Sequence, residues 1–208
     1  GIEVADTFIT ASPMVQKRTN AVGTLLSDGT VLIIGGWYDT QSASYGETCD
    51  STGGVFALTG IMNTPRSLPI VLPTNDSGAA VIGGYHYYGP PMFTQVEYYS
   101  GSTRTFSVLS TQILAADTGW KTYAGLLNRP TSDIKMSNGN YLFPVYRYDA
   151  NSKIEYGLMT FDPASKTFAR IQTNKALTDS LTSGGYQSMV LNVPQNLVYL
   201  FGFLAGAD

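Results

Sequence analysis

Short runs of Val, Ile, Leu, Tyr and Phe recur along the whole chain, each bounded by Gly, Asn, Asp, Ser or Pro. Almost nowhere do apolar residues return at helical spacing. This pattern predicts an all-β chain. In residues 20–36, "NAVGTLL" predicts one strand, "SDGT" a turn and "VLIIGG" the returning strand, because Asp-Gly accepts the positive φ that tight hairpin turns require. The same arrangement recurs in "PIVLPTNDSGAAVIGG" (69–84), "DIKMSNGNYLFPVY" (133–146) and "SMVLNVPQNLVYLFGF" (188–203). These are the a–b hairpins.

A second kind of hairpin alternates with the first. A strand containing Glu leads into a turn, and a Phe opens the next strand, in "ETCDSTGGVFALTGIM", "VEYYSGSTRTFSVL" and "IEYGLMTFDPASKTFARI", with a shorter version in "IEVADTFITASPM". The chain has only the glutamates Glu3, Glu47, Glu97 and Glu155, and each falls in a different c strand. Phe8, Phe56, Phe106 and Phe168 take the equivalent d-strand place, and Arg18, Arg66 and Arg129 begin three a strands. The order is therefore cd-ab four times over.

Units of roughly 50 residues with four strands each are the sequence signature of a β-propeller. The run from Arg18 through "LSDGTVLIIGG" to Glu47, Cys49, Asp50, Phe56, Gly60 and Met62 resembles the kelch repeat, with its double glycine after strand b. The unit from Arg66 to Phe106 resembles it equally, whereas Phe143-Pro144 stands in place of the glycines in the third unit and Gly202 remains alone in the fourth. The resemblance implies a single propeller domain over residues 1–208, with blades at about 18–65, 66–128, 129–186 and 187–208, the last completed by 1–17. Pairing of the terminal hairpins closes a four-bladed ring and removes an exposed sheet edge. An excised piece of a larger propeller, or a half-ring completed by a second copy, are the alternatives.

Some kelch-like propellers are copper radical oxidases, and that resemblance implies two histidines, two tyrosines and a cysteine cross-linked to one of them. This chain has one histidine, His86, and one cysteine, Cys49, so the two-histidine site cannot be assembled from it. The glycine pair "IIGGWYDTQS" lacks the G-x-G-x-x-G spacing and the helix start of a dinucleotide fold, so its expected use is close approach of strands or blades. The repeated Glu and Arg places predict ion pairs or backbone hydrogen bonds that link c strands to their neighbours. "DANSKIE" (149–155) lacks the glycine and full ligand run of a calcium loop and reads as a solvated turn. No catalytic motif and no cofactor site emerge.

Strand direction places the a–b and c–d turns on one face of the disc, and those turns contain no Tyr, Trp or Phe. The b–c and d–a connections on the other face carry Trp37, Tyr38, Tyr45, Tyr85, Tyr87, Tyr88, Phe93, Tyr146, Tyr148, Trp120, Tyr123 and Tyr186, beside Asp39, His86, Arg147 and Asp149. Aromatic loops on a rigid scaffold are where binding residues concentrate. The expected ligand residues are Trp37, Tyr38, Asp39, Tyr45, Tyr85, His86, Tyr87, Tyr88, Trp120, Tyr146, Arg147 and Tyr148, and the expected function is non-enzymatic recognition of a carbohydrate or a protein. Self-association into a surface layer, filament or homo-oligomer is the alternative of a different class.

Composition narrows the partners. A charged fraction of 13% and a net charge of −3 without Lys/Arg clusters supply no footprint for nucleic acid or anionic lipid. No window approaches about 18 uninterrupted apolar residues, so no membrane insertion is expected. The start at Gly1 rather than Met suggests processing, and the low charge with the sequon Asn75-Asp76-Ser77 suggests a secreted or extracellular chain.

Overall fold

A computed structural model describes residues 12–39, 41–50, 54–86, 94–122, 133–171, 186–192 and 197–202. Among them there is no helix, and the sheets are antiparallel. The first sheet begins with β1 (Val22–Leu25) and β2 (Val31–Ile34). The chain then forms a separate two-stranded ladder, β3 (Trp37–Tyr38) with β4 (Gln41–Ser42), and returns to the first sheet in β5 (Tyr45–Cys49), which pairs with β2, and β6 (Ala57–Ile61). β7 (Ile70–Pro73), β8 (Ala79–Ile82), β9 (Val96–Ser100) and β10 (Thr105–Ser110) repeat the order in a second sheet. The third contains β11 (Lys121–Thr122), β12 (Ile134–Lys135), β13 (Tyr141–Tyr148), β14 (Ile154–Asp162) and β15 (Thr167–Ile171). A further hairpin pairs β16 (Tyr186–Asn192) with β17 (Leu197–Gly202). Four a–b and three c–d hairpins thus form where the alternation places them; the amino-terminal c–d hairpin lies largely outside the described residues.

Turn chemistry sets the a–b hairpins. Leu26, Thr74 and Met136 donate their amides to the carbonyls of Thr30, Gly78 and Asn140 at 2.8, 2.9 and 2.8 Å, closing the same turn in three sheets. Asp28 Oδ1 accepts the Thr30 amide at 2.9 Å and Asn138 Oδ1 accepts the Asn140 amide at 3.1 Å, while Gly29 and Gly139 supply φ of 86° and 88°.

The second sheet lies between the other two. One core joins Leu32 and Ile34 to Val71, Ala79, Val81 and Tyr99 across the first junction. The other joins Ile70, Leu72, Ala80 and Ile82 to Trp120, Phe143, Met159 and Phe161 across the second. The glycine pairs make this approach possible. A Cβ on Gly35 would fall 2.6 Å from the Arg66 carbonyl oxygen, and one on Gly83 would fall 1.9 Å from Thr122 Oγ1.

The third sheet departs from the repeat read in the sequence. Ile33 faces Glu47 and Val81 faces Glu97, but Phe143 faces Met159. Counted from the common turn, the glycine place is therefore occupied by Val145 and Tyr146, not by Phe143-Pro144, and the c-strand Glu place by Met159, not by Glu155. Glu155 instead faces Arg147, four residues earlier on β14. Phe168 does keep its place, opposite Phe161 as Phe106 is opposite Tyr99. β13 continues through the glycine place because Val and Tyr suit a strand.

In the first two sheets the expected Arg–Glu link forms. Arg18 Nη2 lies 2.6 Å from Glu47 Oε1, and Glu47 also accepts the Val15 and Gln16 amides at 2.7 and 3.1 Å. Arg66 Nη2 lies 2.5 Å from Glu97 Oε1, and Glu97 accepts the Asn63 and Thr64 amides at 2.7 and 3.0 Å. Both pairs are buried. Burial pushes the Arg66 guanidinium down, against the pull of Glu97. Arg129 lies outside the described residues.

Turns also tie neighbouring sheets together. Lys166 Nζ reaches back from the third sheet to Asp76 Oδ2 at 2.7 Å and lies over the Tyr98 ring. Burial opposes ionisation of Asp76, but hydrogen bonds from Lys166, Thr74 and Tyr98 outweigh it and hold the carboxyl at about 2. A carboxyl depressed on folding contributes stability that is present above its unfolded value near 4 and is lost as pH falls through about 2. Urea unfolding between pH 5 and pH 2 should therefore show a smaller acid loss in Asp76→Asn than in the parent; parallel pH curves would exclude the role.

Candidate functional site

The residue after each glycine pair bridges back to the segment leading into strand a. Trp37 exchanges backbone hydrogen bonds with Thr19 at 2.7 and 3.0 Å, and Tyr85 does so with Ser67 at 3.0 and 2.9 Å. Because the positions are equivalent in adjacent sheets, their rings meet at the same end of the fold. The centroids of Trp37 and Tyr85 are 5.9 Å apart with the planes tilted by 52°.

On the Trp37 side of this pair is a hollow of about 620 Å³, lined by residues 15–19 and by Trp37, Tyr38 and Asp39. Tyr38 and Asp39 are exposed, and Asp39 adopts a φ of 52° at the tip of the β3–β4 ladder. Arg18 forms one wall, but its Nη2 is committed to Glu47 and its Nη1 donates to the Tyr45 carbonyl at 2.7 Å. The hollow therefore offers an aromatic wall, amide and carboxylate groups, and two wall cations, Lys17 and the committed Arg18.

The other expected ligand residues separate into groups. Tyr45 and His86 are half-buried, while Tyr87, Tyr88 and Phe93 lie outside the described residues, as does Tyr123. Trp120 is only 1% exposed and belongs to the core between the second and third sheets, and Tyr146 is likewise buried at the displaced glycine place. These two rings cap and fill rather than line a surface. Tyr148 is exposed, edge-on to Tyr146 with centroids 6.0 Å apart, and Lys121 Nζ sits over its ring. Asp149 accepts the Asn151 and Lys153 amides, both at 2.8 Å, so "DANSKIE" is a solvated hairpin turn.

Arg147 stands in a cluster that sequence reasoning did not anticipate. Its Nε bonds Glu155 Oε2 at 2.6 Å and its Nη1 bonds Asp117 Oδ1; Arg170 closes the circuit to Glu155 Oε1 at 2.8 Å and to Asp117 Oδ2 at 3.2 Å. Both guanidinium carbons lie over the Trp120 ring, at 4.5 and 4.7 Å from its centroid, and the Trp120 Nε1–H donates to Asp117 Oδ2 at 3.0 Å. The hydrogen bonds from Trp120 and Arg147 hold the Asp117 carboxyl below its usual range, and the one that Arg147 donates to Glu155 raises the Arg147 guanidinium. Two cations and two anions cancel, so Arg147 is not a free anion hook. The nearest sequence signal was Arg170 on the strand after Glu155.

No protein-family model matches the chain, and no curated protein matches it in sequence.

Proposed function

We propose that the chain is a non-enzymatic carbohydrate-binding module built as a kelch-like β-propeller. In this reading the terminal hairpins share a fourth blade that closes the ring, and the chain is secreted. Three sheets with a common a–b–c–d plan and the "LSDGTVLIIGG" repeat support the propeller; low charge and the Asn75 sequon support secretion.

One observation carries the ligand class: Trp37, packed on Tyr85, and Tyr38 border a hollow of about 620 Å³ whose polar lining is the amide of Gln16, the hydroxyl of Thr19, the carboxylate of Asp39 and the cations Lys17 and Arg18. Sugar rings present apolar C–H faces to aromatic rings and hydroxyls to polar ones. With Arg18 held by Glu47, Arg147 by two carboxylates, and the charge of Lys17 matched by that of Asp39 among the lining residues, neutral sugars suit the surface better than acidic ones. A glycan array should yield hits among uncharged glycans, and Trp37→Ala should weaken the best of them at least about tenfold, the equivalent of 1.4 kcal/mol. Binding that survives Trp37→Ala, or an array without hits alongside capture of a protein partner, would overturn it.

A self-association reading is favoured by a different observation. Val15, Leu25, Val55 and Ile61, all of or beside the first sheet, are exposed. Light scattering across a concentration series decides it: a mass that stays at the monomer value throughout excludes assembly.

A further inference from the structure

The two junctions between sheets are equivalent in register, yet they are closed differently. The common a–b turns place Asp28 of the first sheet where Asp76 stands in the second. The c–d turns place Arg104 of the second sheet where Lys166 stands in the third: each donates its amide four residues back, at 2.7 and 2.8 Å, each has a φ of 58°, and each stands two residues before the d-strand Phe. At the second junction the cation meets the carboxylate, with Lys166 Nζ on Asp76 and Tyr98 beneath it.

At the first junction it does not. The position of Tyr98 is held by Thr48, opposite Leu32 as Tyr98 is opposite Ala80. The guanidinium of Arg104 is committed to the first sheet instead: its Nη2 donates to Thr48 Oγ1 at 2.9 Å and to the carbonyls of Ala57 and Leu58 at 3.1 and 3.0 Å. What remains between the sheets is a hollow of about 270 Å³ lined by Asp28, Thr30, Asp50 and Arg104, with Leu26 and Val55 as apolar wall. Among the described residues no cation lies within ion-pair distance of Asp28, whose oxygens accept only from the Thr30 and Ser77 neighbourhood.

We propose that this hollow is a binding site for a primary ammonium group on a short alkyl chain, seated on Asp28 as Lys166 is seated on Asp76. The molecule carries its own precedent for the contact, at the same register position one sheet later. Asp28 supplies the charge and the hydroxyls of Thr30 and Thr48 supply acceptors for the remaining N–H groups. Leu26 and Val55 take the methylenes, which lie along apolar surface in the manner of a lysine stem. The ammonium could be that of a free amine or of a partner's lysine side chain. The site lies on the polar turn face, away from Trp37, and stands or falls independently of the carbohydrate reading.

The test is an amide chemical-shift titration of the full chain with butylammonium chloride, and separately with a capped tripeptide centred on lysine, against potassium chloride at matched ionic strength. Saturable shifts confined to residues around Asp28, Thr30 and Thr48 are expected. Asp28→Asn, which keeps the turn acceptor, should weaken binding at least about tenfold, and Asp76→Asn should leave it unchanged. Tighter binding of the tripeptide assigns the site to a lysine, and tighter binding of butylammonium to a free amine. Shifts that do not saturate, that potassium reproduces, or that persist in Asp28→Asn would overturn the proposal.

Discussion

Glu97→Ala should leave the chain close to unfolding. Removing one member of a buried ion pair strands the other, at about 3–5 kcal/mol, and a domain has only about 5–15 kcal/mol in total. Glu97 is fully buried against Arg66 and also accepts the Asn63 and Thr64 amides, so the substitution orphans those donors too. The third sheet shows the apolar alternative, since Met159 fills the corresponding place in a closed core. Arg66→Met with Glu97→Met should therefore be more stable than Glu97→Met alone by at least about 2 kcal/mol, because no charge is left buried. It should not reach the parent, because Asn63 and Thr64 still lack an acceptor. Urea unfolding of the parent, the two single variants and the double variant checks this. Equal stability of the single and double variants would mean that a stranded guanidinium is not the source of the loss.

Much of this architecture is visible from local chemistry. "SDGT" and "SNGN" are turns because Asp28 and Asn138 can accept the amide two residues on and Gly29 and Gly139 tolerate positive φ. Those facts need no knowledge of the rest of the chain, and neither does the two-residue alternation of Val31–Ile34. The displacement in the third sheet is a different matter. Glu155 and Phe143-Pro144 match the repeat in order along the chain, but which residue faces which is decided by pairing across strands. A register differing by four residues keeps every side chain on its own face of the strand, so alternation cannot reveal it.

The candidate site divides in the same way. That Trp37 and Tyr85 follow glycine pairs is legible in sequence; that they touch depends on two sheets packing face to face. Trp120 and Tyr146 look like loop aromatics in a linear pattern, yet they are buried because β11 pairs with the far half of β13 and brings the indole over Gly157. The Asp117–Arg147–Glu155–Arg170 circuit joins groups from a connection and three strands, and no spacing rule links them.

Gly36→Ala should be more damaging than its single added carbon suggests, and it joins the fold to the proposed site. Gly36 has a φ of 95°, a conformation that costs an ordinary residue about 1–3 kcal/mol. Its Cβ would also fall 2.5 Å from the Thr19 carbonyl oxygen and 3.0 Å from the Ala21 amide nitrogen. Backbone atoms cannot rotate aside as a side chain can, so the segment entering strand a must move. That segment carries both the Thr19–Trp37 bridge and the Arg18–Glu47 pair. Gly29 provides the control: its φ is 86°, but a Cβ there meets nothing within 4 Å. Gly29→Ala should therefore cost only the conformational part, about 1–2 kcal/mol, and Gly36→Ala clearly more. Gly36→Ala should also shift the Trp37 fluorescence and weaken carbohydrate binding, whereas Gly29→Ala should do neither. Equal losses of stability in the two variants would show that the close approach at Thr19 is not what requires glycine there.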